Sequence, residues 1–241
     1  MSKLQPENWQ SKKKILVILA HPDDPEFFCG ATLARWAAAG HEIAYLLLTK
    51  GDKGSDDPAI EPARLMAIRT AEQLAAARTL GVNKVDFFDY PDGYLEPDLE
   101  MRRKIVRSIR KERPEIIVTS DPLNYYIRGK HINHPDHRAA GQVTLDAVFP
   151  AAGNRFFFPE LLDEGLLPFS PEEIWISLTH EASVVLDVTE YWQTKINALI
   201  CHASQIGEAQ AFRIAMLERR TADSRPEHPR YEEGFRRLFK R

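Results

Sequence analysis

Two short polar segments of similar composition lie far apart in the sequence. Residues 21–24 read His-Pro-Asp-Asp, and residues 134–137 read His-Pro-Asp-His. Two histidines and one carboxylate are a ligand set of catalytic zinc sites that leave one position open. A further carboxylate beside such a site can act as the base toward a water molecule on the metal. The pair of segments therefore predicts a metal-dependent hydrolytic site.

The first segment directly follows an apolar run at residues 15–19. Pro22 has a fixed φ and biases His21 toward an extended backbone, so a turn here could bring His21 and Asp24 onto one ion. Asp23 would then point elsewhere, toward the expected water. The alternative is an ordinary polar turn in which Asp23 or Asp24 caps the following helix.

The second segment precedes a stretch with helical character. Pro135 suits the first position of a helix, which would let His134 and His137 face the same way from its first turn. One ring could bind the metal while the other donates a hydrogen bond to a developing oxyanion. Asp136 could orient a ligand imidazole. A simple capped helix start is again the alternative.

Short aliphatic runs alternate with helical patterns through the first 150 residues. This pattern predicts an α/β fold, a Rossmann-like, mostly parallel sheet with helices on both faces, with C-terminal strands and helices packed on it. We expect a single domain over residues 14–220, a loosely attached or disordered lead-in at 1–13 and a C-terminal tail at 221–241. The predicted strands are 14–20, 41–49, 84–88, 115–119, 173–178 and 183–188, and the predicted helices are 25–39, 62–80, 97–112, 135–149, 191–204 and 208–219.

This architecture predicts where the polar segments meet. In open parallel sheets, ligands bind outside the carboxyl ends of the strands. Residues 21–24 follow the first predicted strand, 49–51 the second, 90–93 the third, and the irregular segment 121–134 the fourth. The polar clusters of the first half should therefore converge at one edge of the sheet.

Composition narrows the functional classes. The chain of 241 residues has 44% hydrophobic and 28% charged residues and a net charge of −3, which is ordinary for a globular protein and disfavours broad nucleic-acid binding. Its two cysteines cannot form a disulfide framework. The apolar run after the polar N-terminus is too short for a membrane span. We expect a soluble, cytoplasmic protein.

Residues 20–26, followed by a helix that contains glycine, resemble the first signature of the PIG-L/LmbE-like N-deacetylases, and residues 134–141 resemble the second. The resemblance extends over most of residues 14–205. It implies a zinc-dependent amidohydrolase that removes an acetyl group from an N-acetylglucosamine-type sugar or sugar conjugate. One Zn²⁺ per chain is implied, although another divalent ion could replace it. The expected partner is a small-molecule sugar, and a homo-oligomer is compatible with the sequence.

The resemblance also implies a role for each matching position. His21, Asp24 and His137 would be the metal ligands, Asp23 the general base, and His134 the oxyanion donor or acid, with Asp136 in support. Arg69 and Asp92 would contact the substrate, and His202 would either reach the substrate as well or pack between helices. One departure is that the glutamate usually found after the two aspartates comes one place later, as Glu26, because Pro25 intervenes.

Two other functional classes remain open from the sequence. A metal-dependent phosphoesterase can carry similar clusters, although two-metal sites usually need more bridging ligands. A non-catalytic nucleotide-binding module is suggested only by the sheet, since the first strand–helix turn lacks the Gly-x-Gly-x-x-Gly phosphate loop. Tyr125, Tyr126 and His131 could either line a sugar site or brace a loop.

Overall fold

The predicted parallel sheet forms. In the computed structural model, which describes residues 7–127 and 129–239, the main sheet has the order β3-β2-β1-β4-β7-β9-β8. Its first five strands are mutually parallel, and β9 runs antiparallel to both of its neighbours. β5 and β6 form a separate antiparallel ribbon. The strands are β1 (Lys14–Leu19), β2 (Glu42–Thr49), β3 (Lys84–Tyr90), β4 (Ile116–Ser120), β5 (Tyr126–Ile127), β6 (His131–Ile132), β7 (Glu173–Ser177), β8 (Val184–Asp187) and β9 (Glu232–Phe239).

Helices cover both faces of this sheet, so the predicted fold class is confirmed. The α-helices are α1 (Asp24–Ala38), α2 (Pro62–Thr79), α3 (Leu99–Glu112), α4 (Pro135–Asp146), α5 (Glu160–Asp163), α6 (Trp192–Ile200), α7 (Ala203–Ile206) and α8 (Ala209–Leu217). A π-helical turn occupies Ala147–Ala152 and a 3₁₀ turn Thr189–Tyr191. No helix within the described ranges is both long and apolar enough to cross a bilayer.

The aliphatic run in β1 is buried on both faces because successive strand residues point to opposite sides. Ile15, Val17 and Leu19 pack in a core cluster with apolar residues of α1, α2 and α6. Leu16 and Ile18 point the other way and pack with residues of α3 and α4. Burial on both sides explains why the sequence shows a continuous apolar run rather than alternation. β1 therefore lies between β2 and β4 near the middle of the sheet, and its packing fixes the position of residues 20–24, which follow it.

The described part of the predicted lead-in, residues 7–13, packs against the domain. The Trp9 ring lies 5.2 Å from that of Trp36 and 5.8 Å from that of Trp175. Glu7 is buried and accepts a hydrogen bond from Trp36 Nε1 at 2.9 Å. The expectation of a loose lead-in is therefore wrong for these residues. The Trp9 ring packs against two core tryptophans, and Glu7 is hydrogen-bonded to one of them. Residues 1–6 lie outside the described range.

The predicted tail at 221–241 is also wrong as far as the structure describes it, since β9 lies inside the main sheet between β7 and β8. Phe235 is fully buried, and Glu233 is buried against Lys195, with Oε1 and Nζ 2.6 Å apart. Glu233 also accepts the backbone N–H groups of Ala31 and Thr32 in α1. The charge of Glu233 is thus interior, where these partners satisfy it. Lys240 and Arg241 lie outside the described residues.

Two helices end earlier than predicted. The helix expected over 135–149 passes at Ala147 into the π-helical turn, which contains Pro150, a residue without an N–H donor. The helix expected over 191–204 ends at Ile200, and His202 takes a non-helical backbone conformation before α7 begins. The second break decides where the His202 side chain points.

Candidate metal and catalytic site

The turn after β1 separates two adjacent carboxylates. Asp24 Oδ2 accepts the backbone N–H groups of Ala20 at 3.1 Å and His21 at 2.9 Å, so this carboxylate folds back over the strand end. Asp23 precedes α1 with φ +94° and makes no side-chain cap hydrogen bond. The alternative in which one of these aspartates simply caps the helix is therefore wrong.

Three side chains with potential ligand atoms converge at the end of β1. His21 Nδ1 lies 3.3 Å from His137 Nε2. The Asp24 carboxylate is 3.0 Å from His137 Nε2 and 3.5 Å from His21 Nδ1. Ligands about 2.0–2.2 Å from a tetrahedral zinc ion are separated from one another by about 3.3–3.5 Å. The two imidazole nitrogens have that separation, and the Asp24 carboxylate lies close to it, with Oδ1 toward His137 and Oδ2 toward His21.

The proton positions on both imidazoles follow from their outer partners. His21 Nε2 lies 3.1 Å from Asp136 Oδ2, and His137 Nδ1 lies 2.8 Å from Asn133 Oδ1. A carboxylate only accepts, so it assigns the His21 proton to Nε2, and the amide oxygen assigns the His137 proton to Nδ1. The nitrogens that face Asp24 therefore carry lone pairs. When both rings are neutral, two lone pairs and a carboxylate face one point, and this donor set fits a metal ion.

The pKa values of the charged groups in the cluster are shifted in different directions. Burial alone would raise the pKa of Asp24, but the charges and hydrogen bonds of His137 and His21 lower it overall. Burial opposes protonation of His21, yet hydrogen bonds to Asp136, Asp24 and Asp92 raise its pKa well above the ordinary value. Burial and the neighbouring charge of Asp24 raise the pKa of Asp23 to about 7. The two adjacent aspartates thus differ strongly in their affinity for a proton.

Asp136 holds His21 rather than facing the cavity. Its carboxylate is fully buried and accepts the backbone N–H groups of Gly93 at 2.7 Å and Leu95 at 3.2 Å in addition to the contact with His21. These bonds connect the loop after β3 to the first turn of α4. Asp136 therefore sits where it can fix the ring of a residue from the other polar segment.

His134 sits at the start of α4 with its ring partly exposed. Its Nδ1 accepts the backbone N–H of Asp136 at 3.2 Å, so the neutral ring carries its proton on Nε2, the atom 3.9 Å from Asp92 Oδ1. Burial, followed by the charge of His21, lowers the pKa of His134. Ring nitrogens of His134, His21 and His137 also lie within 4.8 Å of one another. His134 can therefore donate a hydrogen bond toward the same point as the cluster.

Arg69 and Asp92 lie beside the cluster. Arg69 is buried and donates to Pro22 O at 2.8 Å, to Gly51 O at 3.2 Å and to Asp23 Oδ2 at 3.3 Å. Asp92 Oδ1 lies 3.2 Å from His21 Nε2, and Asp92 Oδ2 lies 3.8 Å from Arg69 Nη1. Both side chains line the cavity, so both are placed where a substrate could reach them, but much of the guanidinium of Arg69 is already engaged by the protein.

A cavity of about 520 Å³ opens onto these residues, a size typical of small-molecule sites. Tyr94 is 68% exposed at its rim, with Lys53 Nζ 4.9 Å from the ring centre. The lining combines the polar cluster with aromatic residues: His21, Asp23, Asp24, Phe27, Phe28, Lys53, Gly54, Arg69, Asp92, Gly93, Tyr94, His134 and His137.

A larger cavity of about 1130 Å³ lies around Trp36 and Val185, and its one histidine, His41, accepts the backbone N–H of Lys13. The chemistry therefore belongs to the smaller cavity.

The predicted substrate contact of His202 is wrong. The break after α6 turns its ring inward, where it is fully buried, outside the cavity lining, and 3.2 Å from Glu26 Oε2. Tyr125, Tyr126 and His131 are exposed, and none of the three lines the cavity.

Sequence reasoning missed two residues that organise the site, Asn133 and Gln73, and gave a third, Glu26, no role in it. Asn133 fixes the ring of His137, and Gln73 with Glu26 lies directly behind Asp23. The one available signal was spacing, because Gln73 follows Arg69 by one helical turn and must share its face. Asn133 lay in a segment without periodicity.

Comparison with known proteins places this arrangement in a family. The sequence model of the PIG-L family, described as GlcNAc-PI de-N-acetylase, matches residues 16–148. A diacetylchitobiose deacetylase from Thermococcus kodakarensis is 35% identical over 202 residues, which cover 84% of this chain and 73% of the relative. A 1D-myo-inositol 2-acetamido-2-deoxy-alpha-D-glucopyranoside deacetylase from Catenulispora acidiphila is 28% identical, covering 83% and 82%.

Solved structures give the same assignment. The N,N'-diacetylchitobiose deacetylase from Pyrococcus horikoshii superposes with a TM-score of 0.87 at 29% identity, covering 98% of this chain and 87% of that one. A 4-carboxy-2-hydroxymuconate hydratase from Pseudomonas putida shares the fold at 23% identity and a TM-score of 0.73. The fold alone therefore does not decide the chemistry. The family match and the relative that is 35% identical do decide the family: this chain belongs to the PIG-L family.

Proposed function

We propose that this protein is a zinc-dependent hydrolase that removes the acetyl group from the amide nitrogen of an N-acetylglucosamine-type sugar. The observation that carries the proposal is the convergence of His21 Nδ1, His137 Nε2 and the Asp24 carboxylate beside a second carboxylate, Asp23, at the cavity wall. His21, Asp24 and His137 would hold the ion. When bound, zinc supplies a Lewis acid that makes water nucleophilic near neutral pH and polarises a carbonyl oxygen.

The remaining steps belong to side chains of this protein. Asp23 accepts a proton from the attacking water, and its pKa of about 7 suits a base at neutral pH. His134 donates its Nε2 proton in a hydrogen bond to the developing oxyanion. Asp23 or His134 then delivers a proton to the departing amine. Asp136 and Asn133 keep the two ligand imidazoles in the tautomers that leave lone pairs toward the ion.

The substrate class follows from the relatives and from the cavity. The two diacetylchitobiose deacetylases suggest a small oligosaccharide, and a cavity of about 520 Å³ accommodates one to two sugar rings. Carboxylate and guanidinium groups at Asp92 and Arg69 can bind sugar hydroxyls, and the exposed ring of Tyr94 offers an apolar face. A cytoplasmic location, a homo-oligomeric assembly and the absence of nucleic-acid binding stay predictions from the sequence.

The test measures metal and product on the same protein. We expect one zinc per chain by elemental analysis, and acetate and free amine released from N,N'-diacetylchitobiose. Asp23→Asn should keep the zinc and lose about 100- to 10,000-fold in kcat, the usual contribution of a general base. Asp24→Asn should lose the zinc as well. Full turnover in Asp23→Asn would remove that residue from the role of base.

The same measurements separate the other classes. Two ions per chain together with hydrolysis of a phosphate ester would favour a phosphoesterase. Tight binding of a nucleotide in a calorimetric titration, without hydrolysis of any N-acetylated sugar, would favour a binding module. A panel of N-acetylglucosamine, its conjugates and chitooligosaccharides, scored by free amine, then identifies the preferred substrate.

A further inference from the structure

The backbone of Asp23 adopts a conformation that side chains with a Cβ rarely take. Its φ is +94° and its ψ −27°, in the left-handed region that favours glycine. This conformation reverses the chain between Pro22 and Asp24, so that the two neighbouring carboxylates point to different places. A backbone in this region persists only where the surroundings hold it, and such strain clusters at functional sites.

One face of α2 supplies the contacts that hold this turn. Gln73 Oε1 accepts the backbone N–H of Asp23 at 2.8 Å. One turn earlier, Arg69 donates to the carbonyl of Pro22 at 2.8 Å and to the Asp23 carboxylate at 3.3 Å. Both side chains are buried, Gln73 completely. Gln73 and Arg69 therefore bind both polar groups of a single peptide unit, the one between Pro22 and Asp23, and this unit leads directly into the reversal at Asp23.

The orientation of the Gln73 amide is fixed by Glu26. Its Nε2 donates to both oxygens of Glu26, at 3.0 and 3.1 Å, and Glu26 lies 3.2 Å from His202 Nε2. A carboxylate offers no donor, so it accepts only the NH₂ end of the amide and leaves the oxygen for Asp23. Glu26 and His202, both fully buried, thereby determine which end of Gln73 meets the strained turn.

We propose that Gln73 is a positioning residue that holds the backbone of Asp23 in its left-handed conformation and so directs the Asp23 carboxylate, with Glu26 fixing the orientation of the Gln73 amide. The inference rests on the proposed function for its kinetic consequence. The geometric part, that Gln73 holds the Asp23 backbone, does not depend on the substrate.

The kinetic test is a double-mutant cycle between Gln73→Met and Asp23→Asn on the zinc-loaded enzyme. In the wild-type background, Gln73→Met should lower kcat about 10- to 100-fold with KM and zinc content little changed, as expected for a misdirected catalytic group. In the Asp23→Asn background, the same change should alter the residual kcat by less than about 3-fold, because the residue it directs is already disabled. Equal losses in both backgrounds would overturn the proposal.

Two further variants test whether a general loss of stability could explain a lower kcat in Gln73→Met. Ile105→Ala creates a cavity in α3 away from the site, and it should lower the melting temperature without lowering kcat. Glu26→Gln keeps the size of the side chain but no longer dictates the Gln73 orientation, so it should reproduce part of the kcat loss. If Gln73→Met does not fold, Glu26→Gln enters the cycle in its place, and additivity there counts against the proposal.

Amide hydrogen exchange provides a readout that needs no substrate. Gln73→Met should accelerate exchange of the Asp23 amide by about tenfold or more, because its acceptor is lost. The buried amide of Thr32, which lies farther along α1 and donates to Glu233 Oε2 at 2.8 Å, serves as the control and should keep its rate. An unchanged Asp23 rate would overturn the proposal. If the wild type hydrolyses no N-acetylated sugar, the proposed function fails, and this measurement still decides the role of Gln73.

Discussion

The Nδ1 atom of His21 lies 3.3 Å from the Nε2 atom of His137, and the opposite nitrogen of each ring faces an acceptor that favours a proton there when the ring is neutral. Neither nitrogen can therefore donate to the other in the neutral state, and the facing lone pairs repel unless a cation lies between them. Asp136 and Asn133 impose this arrangement by accepting the outer N–H of one ring each. The two acceptors should therefore contribute to metal affinity through the rings they hold.

We predict that Asp136→Asn lowers zinc affinity by about 10- to 100-fold. The amide of this variant would keep one acceptor oxygen but turn an NH₂ group toward His21 or toward the N–H groups of Gly93 and Leu95, where only acceptors fit. Competition with a chromophoric chelator measures the affinity directly. The matched control is Asp146→Asn on the same helix, whose carboxylate contacts Arg102 instead. An equal loss in that control would show that charge alone, not the hold on His21, sets the affinity.

We predict that His134→Ala lowers kcat by about 100- to 1,000-fold, the usual effect of removing one oxyanion donor, while zinc content stays at one per chain. The reason is that His134 directs an N–H, not a lone pair, toward the site. Elemental analysis and steady-state kinetics on one preparation give both quantities. His131→Ala, which changes an exposed histidine of β6, should leave kcat unchanged. Zinc loss in His134→Ala would instead make His134 a ligand, a role its distance to His21 and His137 permits.

The sequence was sufficient to predict the sheet and the convergence of the two polar segments. β1 is buried on both faces, so its apolar run was unambiguous, and the carboxyl ends of parallel strands must share an edge. Pro135 marked the start of α4 because a proline ring is compatible with the first turn of a helix but not with its interior. These signals are local, and local patterns can be read from a single chain.

The features that were missed depend on partners distant in the sequence. β9 carries many charged residues, and its Glu233 is buried because Lys195 on α6 and two backbone N–H groups of α1 satisfy its carboxylate. His202 was predicted to meet substrate because its segment looked family-like, but the helix break after Ile200 turns it toward Glu26. No periodicity predicts a buried ion pair or the direction of a side chain after a break.

We predict that Gly54→Ala lowers kcat/KM by about 10- to 100-fold with little change in thermal stability. A Cβ at this position would overlap the guanidinium of Arg69, whose flexible end can move away. Arg69 would then lose its hold on Asp23 and on the carbonyl of Gly51. Gly153→Ala is the matched control, because its Cβ would overlap Ser170 Oγ far from the cavity. A crystal structure of Gly54→Ala with Arg69 in place and activity lost would refute this explanation.

The last prediction concerns stability rather than catalysis and rests on Glu173 in β7. Its buried carboxylate accepts hydrogen bonds from Trp9 Nε1 at 3.1 Å, Trp175 Nε1 at 2.8 Å, and Arg237 Nη2 at 2.6 Å. Burial would raise the pKa of Glu173, but the hydrogen bonds from Arg237 and the two tryptophans lower it overall. Glu173→Gln should therefore destabilise the protein at neutral pH by about 3 kcal/mol, the scale for breaking a buried ion pair.

The sign of the pH dependence follows from that lowered pKa. The folded state binds the proton of Glu173 less readily than the unfolded state, whose pKa is about 4.3, so the stabilisation is complete above that pH. It disappears as the pH falls through the lower folded-state value. Urea unfolding at pH 7 and at several values below about 4.5 should show the difference between wild type and Glu173→Gln shrinking in acid. Glu96→Gln, at an exposed position, should show no such trend, and a difference that stayed constant with pH would mean that Glu173 stabilises the sheet by packing rather than by charge.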